Sequence, residues 1–256
     1  MDIYLLSIVI FILGLLSTAF AFSLPYSNKK NITRSRITDY SILFATGFII
    51  LLGIYTEIQY KLLGDKIGFE VLFISSLILF LAYYFDHLIL LSIALTGLAT
   101  SIEFIINPSD LLNPITFDKT ETFYSILFGV CLVLAAKNIE RKSIKNHFTF
   151  TYFNFAANLI FLYGLLGIIQ SEDKIIYFLV LLLSGFYFIK FSLLEKSKYF
   201  FFMSILYPYI GFTYLLFHYW LKLNQINLMS FSLISLIGFI FLNFKIRHRF
   251  VDFQKK

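Results

Sequence analysis

The chain contains little charge and a single cysteine. Of its 256 residues, 14% are charged and 59% are hydrophobic, and the mean hydropathy is +0.82. About a quarter of the residues in a soluble domain are charged, so this chain has too little polar surface to cover a globule of its size in water. The composition therefore argues against a soluble domain and fits a chain solvated by lipid. The lone Cys131 excludes an internal disulfide.

Sequence motifs of membrane enzymes are also missing. The chain has no His-Glu-x-x-His zinc helix, no Gly-x-Ser-x-Gly nucleophile elbow, no Asp-rich prenyltransferase pair and no His-x4-Asp acyltransferase box. We therefore expect no catalytic residue, no bound metal and no cofactor. The middle third of each apolar segment lacks Asp, Glu, Lys and Arg, although ion-coupled carriers usually place an acid or a base there. This absence argues against a proton-driven transporter.

Long apolar segments dominate what is present. Their hydrophobic runs are continuous and show no alternation of period two, which excludes a β-barrel. Most exceed 18 residues, about 27 Å of helix, which nearly matches the hydrocarbon core of a bilayer. We predict an all-α, polytopic transmembrane bundle that forms one integral membrane domain. Its nine helices are Ile3–Leu24, Ser41–Tyr60, Ile67–Phe85, Leu88–Ile106, Thr122–Ala136, Phe148–Ile169, Ile175–Leu194, Tyr199–Leu221 and Leu228–Phe244.

The basic residues predict the orientation. Of the 21 Lys and Arg residues, 16 belong to one set of alternate connections, counting Lys190 near the end of its segment, and 5 belong to the other. The larger set includes Pro25–Tyr40, Lys137–His147 and the C-terminal tail. Because basic flanks of transmembrane helices stay in the cytoplasm, we predict the N-terminus outside and the C-terminus inside the inner membrane of a bacterium. Anionic headgroups at the cytoplasmic face then explain the net charge of +6, and no nucleic-acid partner is expected.

The first segment has a competing interpretation. Ala19-Phe20-Ala21 resembles a signal-peptidase site after an apolar stretch. The chain starts with Met1-Asp2 and has no positive region there, and cleavage would leave the four basic residues of Pro25–Tyr40 outside. An uncleaved anchor with its N-terminus outside is the preferred interpretation.

Four ionisable residues are candidates for a polar cluster near the outer membrane surface. Glu57, Glu70, Glu103 and His218 all lie close to the predicted outer ends of their segments. Convergent carboxylates and an imidazole could bind a cationic substrate or a divalent cation, or pass protons. The alternative is that each side chain reaches separately to the interface, where hydration makes it inexpensive.

Other polar residues have structural interpretations. Asn154 and Asn158 are spaced i, i+4 on one helix and could line a polar path, although amides of this kind more often join neighbouring helices by hydrogen bonds. Pro208 is expected to kink the eighth helix. Asp86 is the expected cap of the cytoplasmic hairpin, at the start of the fourth helix, and His87 completes that turn.

Residues 53–103 carry a resemblance to known proteins. They contain a helix end with Tyr and Gln, the turn Gly64-Asp65, and the aromatic run Tyr83-Tyr84-Phe85-Asp86 before the helix of Leu90–Thr96. This pattern resembles uncharacterised bacterial polytopic membrane proteins that are grouped only as a domain of unknown function. The resemblance implies a multi-pass membrane protein and carries no activity.

Three functions are compatible with these features. The first is a noncatalytic membrane component, such as a scaffold, an accessory subunit or a sensor module, that works through a membrane protein partner or as a homo-oligomer. The second is a small-molecule or lipid transporter that uses the outer polar cluster and the kink at Pro208. The third is an intramembrane enzyme of unrecognised type.

Overall fold

The structure is all-α over the residues that it describes. This computed structural model describes residues 36–60, 66–106 and 119–221, and the isolated positions 12, 13, 16, 233, 235, 236 and 238. A short 3-10 helix, Asn146–Phe148, precedes the long helix that begins at Thr149, and a π-helical turn, Phe217–Leu221, continues the long helix that ends at Leu216. The seven long helices are α1 (Arg36–Tyr60), α2 (Ile67–Phe85), α3 (Leu88–Ile106), α4 (Lys119–Lys142), α5 (Thr149–Gln170), α6 (Lys174–Leu194) and α7 (Lys198–Leu216).

These helices correspond to the second through eighth predicted segments. The first and ninth segments, Ile3–Leu24 and Leu228–Phe244, lie outside the described residues apart from a few isolated helical positions, so the count of nine and the orientation stay predictions. The helix that differs most from its predicted segment is α4, which corresponds to the fifth segment. It extends from Lys119 to Lys142, whereas the prediction was Thr122 to Ala136. Lys, Glu and Arg are good helix formers, and they carry the helix beyond its apolar stretch at both ends.

All seven helices are long and apolar enough to cross a membrane. Their outward surfaces carry large, exposed apolar side chains: Phe73 and Leu183 are each 70% exposed, and Leu194 is 80% exposed. Large exposed apolar areas are unfavourable in water but are solvated by lipid tails. The fold is therefore that of a multi-pass membrane protein.

The chain divides into two compact units, Met1–Phe155 and Ala156–Lys256. The tightest packing of the first unit is the antiparallel hairpin of α2 and α3. A Cβ at Gly68 would lie 2.6 Å from the backbone nitrogen of Ile105, and a Cβ at Gly97 would lie 2.1 Å from Ser75 Oγ. Small residues allow two helices to approach this closely, so Gly68 at the open end of the hairpin and Gly97 near its middle let α2 and α3 pack tightly.

The second unit is built around the α6–α7 hairpin and the part of α5 that follows Phe155. Its interior is aromatic: Phe188 packs against Phe161 and Phe200, with ring centroids 5.5 and 5.8 Å apart. All three side chains are fully buried. The bulky rings fill the space between helices and leave no polar atom to satisfy, as lipid surroundings require.

Candidate functional site

Glu57 and Glu70 form an acid pair between α1 and α2. Their carboxyl groups are in hydrogen-bond contact, and Glu57 is buried while Glu70 is half-buried. Gly53, one turn before Glu57, makes room for this approach, because a Cβ there would lie 2.3 Å from Ile74 Cδ1 and 3.4 Å from Glu70 Oε1. Two carboxylates this close repel each other when both are ionised. A cation bound between them would relieve that repulsion.

The other two members of the predicted outer cluster are placed differently. Glu103 is half-buried near the C-terminal end of α3, the end that contacts Gly68 at the start of α2. His218 is exposed in the π-helical turn after α7, where its ring stacks on Tyr214 at 6.0 Å. His218 belongs to the second compact unit and the three glutamates belong to the first. Convergence of all four residues therefore stays a prediction.

A second group of polar residues lies at the opposite end of α1 and α2. We define the hairpin-end cluster as Asp39, Asp86, His87, Lys145 and His147. Along α1, Asp39 precedes Glu57 by 18 residues, or about 27 Å of helix, which nearly equals the thickness of the hydrocarbon core. The acid pair and the hairpin-end cluster therefore lie near opposite surfaces of the membrane.

Asp86 is the ionic centre of this cluster. It ends α2 in the left-handed conformation, with φ 57° and ψ 47°, a region that Asp tolerates better than most residues. Its Oδ1 atom lies 3.0 Å from Lys145 Nζ and 3.1 Å from His147 Nε2. The carboxylate thereby ties the α2–α3 turn to the connection between α4 and α5.

The His87 side chain accepts a hydrogen bond at the start of α3. The backbone N–H of Leu90 donates to His87 Nδ1 at 3.4 Å, and that of Leu91 donates to the His87 carbonyl at 3.1 Å. The Nε2 atom of the same ring lies 3.9 Å from Asp39 Oδ1. The left-handed turn at Asp86 directs its carboxylate toward Lys145.

Lys145 is held from several sides. Its ammonium donates a hydrogen bond to the Tyr83 carbonyl and lies 5.9 and 5.6 Å from the ring centroids of Tyr83 and Phe148. The Tyr83 hydroxyl is 3.0 Å from that of Tyr152 on α5. Cation–π contacts and a carbonyl acceptor thus supplement the ion pair to Asp86.

An open cavity of about 500 Å³ lies against the hairpin-end cluster. A second, narrower depression of about 370 Å³ runs along α1 and shares Tyr40 and Leu43 with it. The first is bordered by Asp39, Asp86, His87 and His147 together with Tyr40, Leu43, Leu88 and Ile89, and the second by Tyr40, Leu43, Phe44, Gly47, Phe48 and Leu51. We call the two together the α1 groove: the charged cavity is its mouth, and the apolar depression along α1 is its floor.

The sequence predicts only part of this cluster. It predicts the turn at Asp86 and His87 but not the contacts of that turn with Asp39, Lys145 and His147. The useful signal was available, because alternating topology puts the start of the second predicted segment, the third connection and the fifth connection at one membrane surface. Which charges of that surface meet is a matter of tertiary packing.

The remaining predicted residues have defined surroundings. Asn158 exchanges hydrogen bonds with the Tyr199 hydroxyl at 3.0 and 3.2 Å and so joins α5 to α7, while Asn154 is half-buried one turn earlier. Pro208 lies inside α7 and removes the N–H that would bond the Ser204 carbonyl. That carbonyl oxygen faces Gly185 of α6, where a Cβ would lie 3.0 Å from it.

Among the described residues, no group of three or more His, Cys, Asp or Glu side chains could hold a metal ion. Comparisons with known proteins give no match: no protein-family model, no curated protein and no solved structure is significantly similar to the chain. The assignment of a function therefore depends on the geometry of the acid pair and of the hairpin-end cluster.

Proposed function

We propose that the protein is a noncatalytic integral membrane component that acts through a partner, as a scaffold, an accessory subunit or a sensor module. The observation that carries this proposal is the use of its polar side chains. Lys145 and His147 both bind Asp86 and so join two turns, and Asn158 binds Tyr199 between helices. Polar groups that pair between elements in this way build a rigid framework.

The proposal includes the finer topology. We propose nine transmembrane helices, with the N-terminus outside and the C-terminus in the cytoplasm of a bacterium, in its inner membrane. The hairpin-end cluster then faces the cytoplasm beside anionic headgroups, and the acid pair lies near the outer surface. The split of 16 basic residues against 5 supports this orientation.

Partner binding is tested by crosslinking in native membranes, followed by purification of the tagged full-length chain in a mild detergent. We expect one stoichiometric membrane partner or a homo-oligomer. The matched variants are Asp86→Asn, which keeps the shape of the turn but removes the charge that orders the cytoplasmic surface, and Glu172→Gln, which removes an exposed charge of the α5–α6 connection. Asp86→Asn should weaken the complex and Glu172→Gln should not. A chain that stays monomeric and uncrosslinked would contradict the proposal.

The acid pair supports a second candidate function, the binding or transport of a cationic small molecule. Glu57 is buried at a helix interface and shares a hydrogen bond with Glu70, and buried carboxyl groups in membrane helices are costly unless they serve a purpose. A cation could bind between the two carboxylates.

A panel of organic cations tested by thermal shift decides between the two functions. If a site exists, one cation should raise the unfolding temperature of the wild-type protein, and Glu57→Gln and Glu70→Gln should each remove that shift. Glu103→Ala tests whether the third glutamate belongs to the same site, and Glu172→Gln is the control. Unchanged unfolding temperatures across the panel would eliminate the transport function.

A further inference from the structure

The groove along α1 has the form of an amphiphile site. Its mouth is the charged cavity at the hairpin-end cluster, and its floor is the apolar depression that ends at Leu51. From Asp39 to Leu51 the helix rises about 18 Å, slightly more than half of the roughly 30 Å hydrocarbon core. An acyl chain of one leaflet therefore matches the groove in length, and the polar mouth lies at the depth of a headgroup.

Gly47 supplies independent support for an occupant of this floor. A Cβ at Gly47 would meet no atom within 4 Å, whereas a Cβ at Gly53, two turns farther along α1, would collide with Ile74. The glycine at position 47 is thus not needed for contact with a neighbouring helix within the described part of the chain. Because Gly47 has no side chain, the surface of α1 leaves room there for an acyl chain to pack.

The charges at the mouth indicate which headgroup fits. Two carboxylates, of Asp39 and Asp86, border the cavity and are 41% and 44% exposed. Cationic and hydrogen-bond-donating groups lie beside them, because Lys145 Nζ is 3.0 Å and His147 Nε2 is 3.1 Å from Asp86 Oδ1. A headgroup with a positive and a negative end is complementary to this arrangement. The ammonium would bind the exposed carboxylates, and the phosphate would bind beside His147, which also borders the cavity.

We propose that this groove is a specific site for a phospholipid whose headgroup carries a primary ammonium and a phosphate, with one acyl chain lying along α1. A primary ammonium has three N–H donors for the carboxylates, as a lysine does, whereas a quaternary ammonium has none. An anionic headgroup without an amine would place its charge beside Asp39 and Asp86. This site is independent of the proposed function and lies at the membrane surface opposite the acid pair.

The test measures which lipid the full-length protein retains. The chain is reconstituted with equal amounts of phosphatidylethanolamine, phosphatidylcholine and phosphatidylglycerol of identical acyl chains, extracted into mild detergent and analysed by native mass spectrometry. We expect phosphatidylethanolamine to be enriched about tenfold over each of the other two lipids, the factor expected for one charge-assisted hydrogen bond.

Three variants separate the two parts of the site. Gly47→Leu fills the floor and should abolish retention, while Gly47→Ala, the matched control, should keep it. Because a Cβ at position 47 meets nothing, Gly47→Leu should unfold in lipid-free detergent at the wild-type temperature. Asp39→Asn should reduce the preference for phosphatidylethanolamine toward unity while lipid is still bound.

Each contrary outcome overturns the proposal. Equal retention of the three lipids shows that the headgroup is not recognised, and equal retention by wild-type and Gly47→Leu protein shows that the chain lies elsewhere. If Gly47→Leu lowers the unfolding temperature and the wild-type protein retains no lipid, a protein segment covers the groove, and the first predicted segment, Ile3–Leu24, is then its occupant.

Discussion

The pair Asn158 and Tyr199 is the clearest interhelical hydrogen bond in the described part of the second unit. The Tyr199 hydroxyl lies 3.0 Å from the amide nitrogen of Asn158, which can donate to it, and 3.2 Å from the amide oxygen, which can accept from it. Hydrogen bonds of this kind between membrane helices are worth only about 0.6–2 kcal/mol, because the unfolded chain in the membrane finds other partners. The pair therefore contributes modestly to stability but defines the register of α5 against α7.

A double-mutant cycle measures this contribution. We expect Asn158→Ala and Tyr199→Phe each to lower the free energy of unfolding by about 1 kcal/mol, and the double variant to lose less than the sum. Ser76→Ala is the control, because the Ser76 hydroxyl donates to the Leu72 carbonyl of its own helix. Strictly additive losses in denaturant unfolding from mixed micelles would show that the two side chains do not interact.

Lys145 combines a strained backbone with favourable contacts. Its φ is 53°, a left-handed conformation that costs an ordinary residue about 1–2 kcal/mol. The ion pair to Asp86 and the contacts with Tyr83 and Phe148 offset this cost. The same backbone conformation occurs at Lys196, in the turn between α6 and α7, where φ is 52° and the side chain is exposed.

This difference gives an ordered prediction for substitutions. At position 145, both Ala and Gly remove the side-chain contacts, but Gly also relieves the backbone, so Lys145→Ala should be about 1 kcal/mol less stable than Lys145→Gly. At position 196, Lys196→Gly should be as stable as the wild type or more so. Thermal unfolding in detergent measures both pairs. A Lys145→Gly variant that gains stability would show that the contacts of Lys145 do not offset its backbone strain.

At the scale of elements, glycine position decides how helices pair. Gly68 lies where α2 meets α3, and a Cβ there would approach backbone atoms of Phe104 and Ile105 to 2.8 and 2.6 Å. Backbone cannot swing aside as a flexible side chain can. The two helices would have to separate, and loosened packing in a tight core typically costs about 1–3 kcal/mol.

We therefore expect Gly68→Ala to lower the free energy of unfolding by about 1–3 kcal/mol. Gly47→Ala is the matched control on α1: it makes the same chemical change in open space and should be neutral or slightly stabilising, because alanine has the higher helix propensity. Equal stabilities of the two variants in the same detergent would disprove the close approach of α2 and α3.

Element types followed from the sequence more readily than element ends. Continuous apolar runs predicted the helices, since a chain in lipid must satisfy its backbone within each segment. The polar extensions of α4 to Lys119 and Lys142 carry no such signal. The left-handed φ at Asp86 and the hydrogen bond that His87 Nδ1 accepts also carry no sequence signal, because both are set by the turn and its partners.

At the scale of the whole molecule, orientation is the property that the charge pattern predicts most directly. A reporter that is active only in the cytoplasm should work when fused after Lys256 or within Lys137–His147, and should fail within residues 107–121. The reason is retention of basic flanks on the cytoplasmic side. The opposite set of activities would reverse the topology, and activity at all three positions would indicate a wrong helix count.

The candidate sites were predictable to different degrees. Glu57 and Glu70 were singled out because ionisable residues in membrane segments are rare, and the structure brings these two together. Their contact could not be derived from the sequence, since it depends on Gly53 allowing α1 to approach Ile74. Asp39 and His147 were not singled out, because charged residues at segment ends are ordinary and the topology predicts only which membrane surface they share.

The sequence by itself determined that this is a membrane protein of apolar α-helices, because hydrophobicity and backbone hydrogen bonding act within each segment and need no neighbour. Only the tertiary structure decided which polar groups meet. Asp39, Asp86 and His147 come from three different parts of the chain and border one cavity, because helix packing, set by small residues at close contacts, brings distant turns to the same place.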